Sequence, residues 1–206
     1  MTRTVYCTKT NVKAYSKITY TDLGYANDTA FDTFLDSLIL LAQGIIEDYC
    51  NVPNGFFETG GVAFTNELHD YHYPWIDLRY YPVLSTSKVE YNDQGFGITP
   101  NWITIAVPDY ILNTYTGQLM LVNKIPAISP LSVRVSYTAG YSTTPDVVEH
   151  VCIQLCCNLL HEILQRKINP QVQVNEMAFK LIVPTALNSE LRAILESYRR
   201  KNVAVG

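Results

Sequence analysis

The chain is short of charge. Only 17% of its 206 residues are Asp, Glu, Lys or Arg, where an average globular domain carries roughly 25%. Net charge is −4, which argues against a surface built to grip a phosphate backbone. The one basic cluster, Arg199-Arg200-Lys201, reads as a helix C-terminus complementing its dipole. No apolar run approaches the ~18 residues of a membrane span, so no membrane association is expected. The opening MTRTVYCTKTNVKAYSK lacks the apolar stretch of a signal peptide. Five cysteines, an odd number without paired spacing, fit a reducing compartment rather than a disulfide scaffold. Catalytic signatures are missing too: no G-x-S-x-G, no Walker lysine loop, no G-x-G-x-x-G and no H-E-x-x-H occurs. No catalytic residue, cofactor or metal site is therefore assigned, and an enzyme is not expected.

What is present is apolar and aromatic. Hydrophobic residues make up 48% and Tyr alone numbers fifteen, enough for a core without disulfides. Interfaces shed charge and gain aromatics, so this composition predicts a surface partly covered by other subunits. A compact monomer with a Tyr-rich core is the other reading of the same numbers.

The pattern along the chain changes twice. A short helical turn is expected around Asn11–Ser16. Asn27 or Asp28 then caps a helix whose stripe runs Phe31, Phe34, Leu35, Leu38, Ile39, Ala42, Ile45, Ile46, Tyr49 and ends near Cys50. Asp32, Asp36, Glu47 and Asp48 read as its solvated face. Residues 56–138 are rich in Val, Ile, Tyr, Phe and Thr and are broken by Gly and Pro, predicting short antiparallel strands. Thr116-Gly117 reads as a hairpin turn, and Gly95-Phe96-Gly97 as a turn glycine pair. Helix returns with Thr144 as cap and Pro145 at the first helical position. Its stripe runs Val147, Val148, Val151, Cys152, Leu155, Cys156, Leu159, Leu160, Ile163 and Leu164, widened by Ile153 and Cys157, and implies partners on more than one side. Residues 171–186 read as an irregular link. Asn188 or Ser189 caps a last short helix bearing Leu191, Ile194, Leu195 and Tyr198.

The predicted class is α+β: an α-helical bundle (1–55 and 139–170), an inserted antiparallel β-sandwich or barrel-like subdomain (56–138), and a C-terminal arm and helix (171–206).

Two clusters invite a metal reading. Cys152, Cys156, Cys157 and His161 share faces of one helix, but a structural zinc site wants four ligands in matched pairs. The thiols occupy stripe positions, where a cysteine packs as a small hydrophobe. His69 and His72, in the segment His69-Asp70-Tyr71-His72, point to opposite faces if extended and have no evident third ligand.

The order of elements carries a resemblance. LSVRVSYTAGY (131–141) followed by TPDVVEHVCIQLCCNLLHE (144–162) resembles the head–tail connector, or adaptor, proteins of tailed viruses. LLAQGIIEDYCNVP (40–53) is similar to that family's opening helix, and LRYYPVLSTSKVEY, DYILNTYTGQLML and ALNSELRAILESYRRK follow in its usual order. The likeness spans roughly residues 10–201. It departs at the cysteine-rich second helix and at ELHDYHYPW. It implies a structural virion protein at the head–tail junction, assembled in the host cytoplasm: a closed homo-oligomeric ring, dodecameric, on the portal protein. DNA would pass through its centre without sequence-specific recognition, and tail-completion or tail proteins would meet it below. It also implies that the C-terminal helix reaches the portal, making Leu187, Leu191, Ile194, Leu195, Tyr198, Arg199 and Arg200 the partner-contact candidates. Docking of that helix on its own bundle is the competing expectation. Alternatives for the whole chain are a tail-completion or tail-terminator protein, and a metal-dependent enzyme using His69 and His72.

Overall fold

The computed structural model describes residues 5–71, 74–94, 98–122, 126, 130–168 and 187–200. The chain divides into two compact units, Met1–Asn54 with Thr144–Gly206, and Gly55–Thr143. The first is helical and the second holds every strand among the described residues, an α+β arrangement as the alternating patterns predict.

In the helical unit, α1 (Lys9–Ser16) is capped by Thr8, whose hydroxyl accepts from the Asn11 amide. A single turn, α2 (Tyr20–Leu23), follows, with a capping box between Thr19 and Asp22. The long α3 (Asp28–Cys50) starts at Asn27, whose side chain accepts from Ala30 N–H. It stops where Asn51 turns left-handed at φ 54° and Val52 N–H closes onto the Glu47 carbonyl at 3.1 Å. The second long helix, α4 (Asp146–Ile168), begins one residue later than its Pro145 signal, with the Pro145 carbonyl accepting from Glu149 N–H. A short α5 (Ser189–Leu195) runs into a 3-10 turn, Glu196–Tyr198.

Three expectations change here. Glu47 does not belong to the solvated face of α3; it is fully buried and accepts a hydrogen bond from the Tyr6 phenol. A carboxylate stays inside a bundle only when a donor meets it. Val147 is exposed, although it opens the α4 stripe. Val148, Val151, Cys152, Ile153, Leu155, Cys156, Leu159 and Leu160 are buried within their own unit and Cys157, Ile163 and Leu164 half-buried, because α1, α2, α3 and α5 all pack on α4. The width of the stripe reflects four intrachain partners, so it is no measure of a neighbouring subunit. Both α3 and α4 are long and apolar enough, by length and composition, to cross a membrane, contrary to the reading of the unbroken apolar runs. Their apolar sides are core, and Asp36 and Asp48 on α3 face solvent.

The β unit holds two antiparallel sheets. One has the order β1 (Val62–His69), β7 (Val133–Ala139), β3 (Val83–Asn92), β4 (Trp102–Thr104). The other has β2 (Trp75–Asp77), β6 (Gln118–Leu121), β5 (Tyr110–Asn113). Central β7 is covered on both edges and buries Val133, Val135, Tyr137 and Ala139 in alternation. The β5–β6 hairpin closes at Thr116-Gly117 with Gly117 at φ 71°, as its sequence predicts. Gly140, just after β7, sits at φ 129°, and a Cβ there would meet the Phe56 carbonyl oxygen at 2.5 Å. Only glycine ends this strand. The expected link over 171–186 and the Gly95-Phe96-Gly97 turn lie outside the described residues.

Candidate functional site

The C-terminal helix is built from its cap inward. Asn188 Oδ1 accepts the Leu191 amide at 2.9 Å and fixes the first turn. The i,i+4 pair Leu191 and Leu195, with Leu187 before them, is buried within the helical unit. Tyr49, on the last turn of α3, holds the other side. Its hydroxyl lies 3.2 Å from the Arg192 carbonyl and 2.9 Å from Glu196 Oε2. Burial first, and the Glu196 carboxylate next, raise the Tyr49 phenol above its ordinary value. The Arg199 guanidinium covers the Tyr49 ring at 5.4 Å and pairs with Glu196 at 3.7 Å. The Arg200 amide donates to the Cys50 carbonyl at 2.8 Å, satisfying the end of α3.

The seven sequence candidates therefore separate by exposure. Leu187, Leu191 and Leu195 are core, and Tyr198 and Arg200 are half-buried. Ile194, 37% exposed, and Arg199 face outward. On the same unit Leu40 and Leu41 of α3, Tyr15 of α1 and Val147 of α4 are large apolar side chains left exposed.

The thiols converge differently from their sequence grouping. Cys7, ahead of α1, joins Cys152 and Cys156, and the three Sγ atoms lie within 4.8 Å of one another. Cys7 Sγ and Cys152 Sγ lie 3.4 Å apart, within hydrogen-bonding distance. Hydrogen bonds from Cys152 and then Cys156 hold the Cys7 thiol below its ordinary value, against the effect of burial. Cys157 turns instead toward the Val12 carbonyl at 4.0 Å, and burial pushes it up to about 11. His161 is exposed and takes no part in the thiol cluster. Cys7 was invisible to the sequence reading because 145 positions separate it from Cys152.

In the β unit, His69 Nε2 lies 3.1 Å from Glu67 Oε1, two residues away on β1. Glu67 Oε2 accepts from the Tyr137 hydroxyl at 3.1 Å. Burial works to raise the Glu67 carboxyl, but the His69 contact, the Arg79 amide and Tyr137 bring it below its ordinary value. Burial raises the Tyr137 phenol. His69 thus lies against Glu67 on its own strand, while His72 lies outside the described residues. Asp70 accepts the Leu131 amide at 2.7 Å, supporting a left-handed residue at φ 53°. A second buried carboxylate, Glu90, sits between Arg134 and Lys88, and Arg134 stacks on the Trp102 ring at 4.4 Å.

No family model matches the chain, and no curated protein matches it. Among solved structures, it is similar to a chain in the neck of an empty gene transfer agent (GTA) particle computed with C6 symmetry. That likeness has a TM-score of 0.50 at 13% identity and covers 96% of this chain and 91% of that one. A chain from the neck of a native GTA particle computed with C12 symmetry scores 0.46 at 15% identity, covering 84% and 90%. One from the virion of a native GTA particle scores 0.44 at 16%, covering 95% and 91%. At 13% identity the first of these is a likeness of fold, and it runs through both units of the chain.

Proposed function

We propose that this chain is a structural adaptor of a head–tail junction, a virion protein forming a closed homo-oligomeric ring between portal and tail. The observation that supports this most is the fold shared, over 96% of its length, with a chain from a particle neck. The neck in question was computed with C6 symmetry, which a twelve-membered ring satisfies. The order of quoted segments in the sequence supports the same reading independently of the fold.

A closed ring uses heterologous contacts, one face of each subunit meeting another face of the next. Leu40 and Leu41, exposed in the middle of α3, are the apolar surface such a neighbour would cover. Ile194 and Arg199 are the exposed members of the seven candidates at the C-terminal helix and make the portal contact in this reading. DNA passes through the centre, and the chain's overall net charge of −4 is not that of a protein built to grip a phosphate backbone. Tail-completion or tail proteins engage the opposite rim. Catalysis has no part in the role.

The test is the mass of the purified protein, alone and mixed with its portal, followed by electron microscopy of virions. A stoichiometric ring on the portal is expected. A ring that binds the tail tube and not the portal would instead make the chain a tail-terminator. Virions with no copy at the head–tail junction would refute the reading.

A further inference from the structure

Cys7, Cys152 and Cys156 are all at most 2% exposed. α4 brings two of the sulfurs to one face, four residues apart, and the segment before α1 lays the third over them. Thiols scattered through a core pack as small hydrophobes; here three sulfurs face each other instead. Around an ion with metal–sulfur bonds of about 2.3 Å, trigonal sulfurs stand about 4 Å apart. The observed 3.4 Å between Cys7 and Cys152, and the 4.8 Å bound on all three, bracket that spacing. Among the described residues no His, Asp or Glu ligand atom joins the group. Structural zinc prefers four ligands, whereas soft thiolates without nitrogen or oxygen partners also suit monovalent copper.

We propose that Cys7, Cys152 and Cys156 form a three-thiolate site for a thiophilic d10 cation, Cu(I) or Zn(II). The bound ion staples the segment around Tyr6 and Cys7 to α4. Each thiol that coordinates releases its proton to solvent, so uptake is accompanied by acidification.

The experiment uses the full chain, reduced and kept anaerobic. It is titrated with Cu(I) delivered from a coloured chelator and, in a separate arm, with Zn(II). The chain should take up one equivalent of at least one of the two ions. Cys7→Ser and Cys156→Ser should each lower affinity at least tenfold, with folding checked by circular dichroism. Cys50→Ser, outside the cluster, should bind as the parent does. X-ray absorption on the loaded parent chain needs no variant: three sulfur neighbours at about 2.3 Å are expected. No uptake of either ion, uptake indifferent to Cys7, or a shell of nitrogen and oxygen would overturn the site.

Discussion

Tyr6 donates its phenolic hydrogen to Glu47 at 2.5 Å, and neither residue is more than 2% exposed. The contact joins the segment ahead of α1 to the last turns of α3, 41 positions away. A buried carboxylate that loses a donor bears a desolvation cost of about 1–3 kcal/mol. Tyr6→Phe keeps the ring and removes only the hydroxyl. It should lower the unfolding free energy by that amount in a urea titration, with an unchanged slope. Glu47→Gln, which retains an acceptor, should cost less.

That pair also marks where the sequence was legible and where it was not. Asn27 as one of two cap candidates, the α3 stripe, its end near Cys50 and the Thr116-Gly117 hairpin were all readable, because each rests on neighbours within a few positions. Glu47 and Cys7 were misread or passed over, because what gives them meaning comes from distant chain. An i,i+4 pattern says which face is apolar, not what covers it. Hence the α4 stripe implied partners on more than one side without naming them, and α1, α2, α3 and α5 are what lie on it. The outward residues of the C-terminal helix follow the same logic: Leu191, Ile194 and Leu195 all fit a helical stripe, and only packing separates the exposed Ile194 from its neighbours.

Acid should weaken the β unit. Glu90 is held below the ordinary 4.5 by Arg134 first, with Lys88 assisting; Glu67 is held below 4.5 despite its burial. The unfolded chain therefore takes up these protons at higher pH than the fold does. The stability they confer is fully present above pH 4.5 and is lost as pH falls through their depressed values. Denaturation midpoints taken at about pH 7 and about pH 3.5 should differ, and Glu90→Gln should shrink the difference. At neutral pH the same substitution should cost about 1–3 kcal/mol, because Arg134 loses its charged partner. A variant with parental acid sensitivity would remove Glu90 from this account.

Gly140→Ala should be among the costliest single-methyl changes in the chain. The residue sits at φ 129°, and the added carbon would lie 2.5 Å from the Phe56 carbonyl oxygen and 2.8 Å from Gly61 Cα. The backbone conformation alone costs about 1–3 kcal/mol for a residue with a side chain, and backbone atoms on both sides leave little room to relax. Gly44→Ala is the matched control, since nothing lies within 4 Å of a Cβ there. It should be neutral or stabilising by up to about 1 kcal/mol, as expected for a helical glycine. Thermal melts of the two variants would separate the effects; equal shifts would mean that the strand end relaxes freely.

The C-terminal helix has two faces, and they call for two kinds of variant. A helix of seven residues is marginal on its own, and here Leu187, Leu191 and Leu195 secure it to the bundle. Deleting residues 187–206 should therefore destabilise the helical unit, as should Leu191→Ala, by about 2–5 kcal/mol. Failure of a truncated chain to join portal-bearing heads would then say nothing about docking. Ile194→Asp tests docking directly. Ile194 is 37% exposed, so a charge there should cost about 1 kcal/mol, well below the truncation of buried Leu191. In the adaptor reading it should abolish or sharply reduce joining to portal-bearing heads. Arg199→Ala is the companion: it gives up an exposed cation over Tyr49 and a pair with Glu196 at 3.7 Å, a loss of about 0.5–1 kcal/mol. A head-joining assay run beside urea titrations of both variants decides the matter. Stable variants that fail to join place the portal contact on this face, and stable variants that join normally leave the helix with a purely internal role.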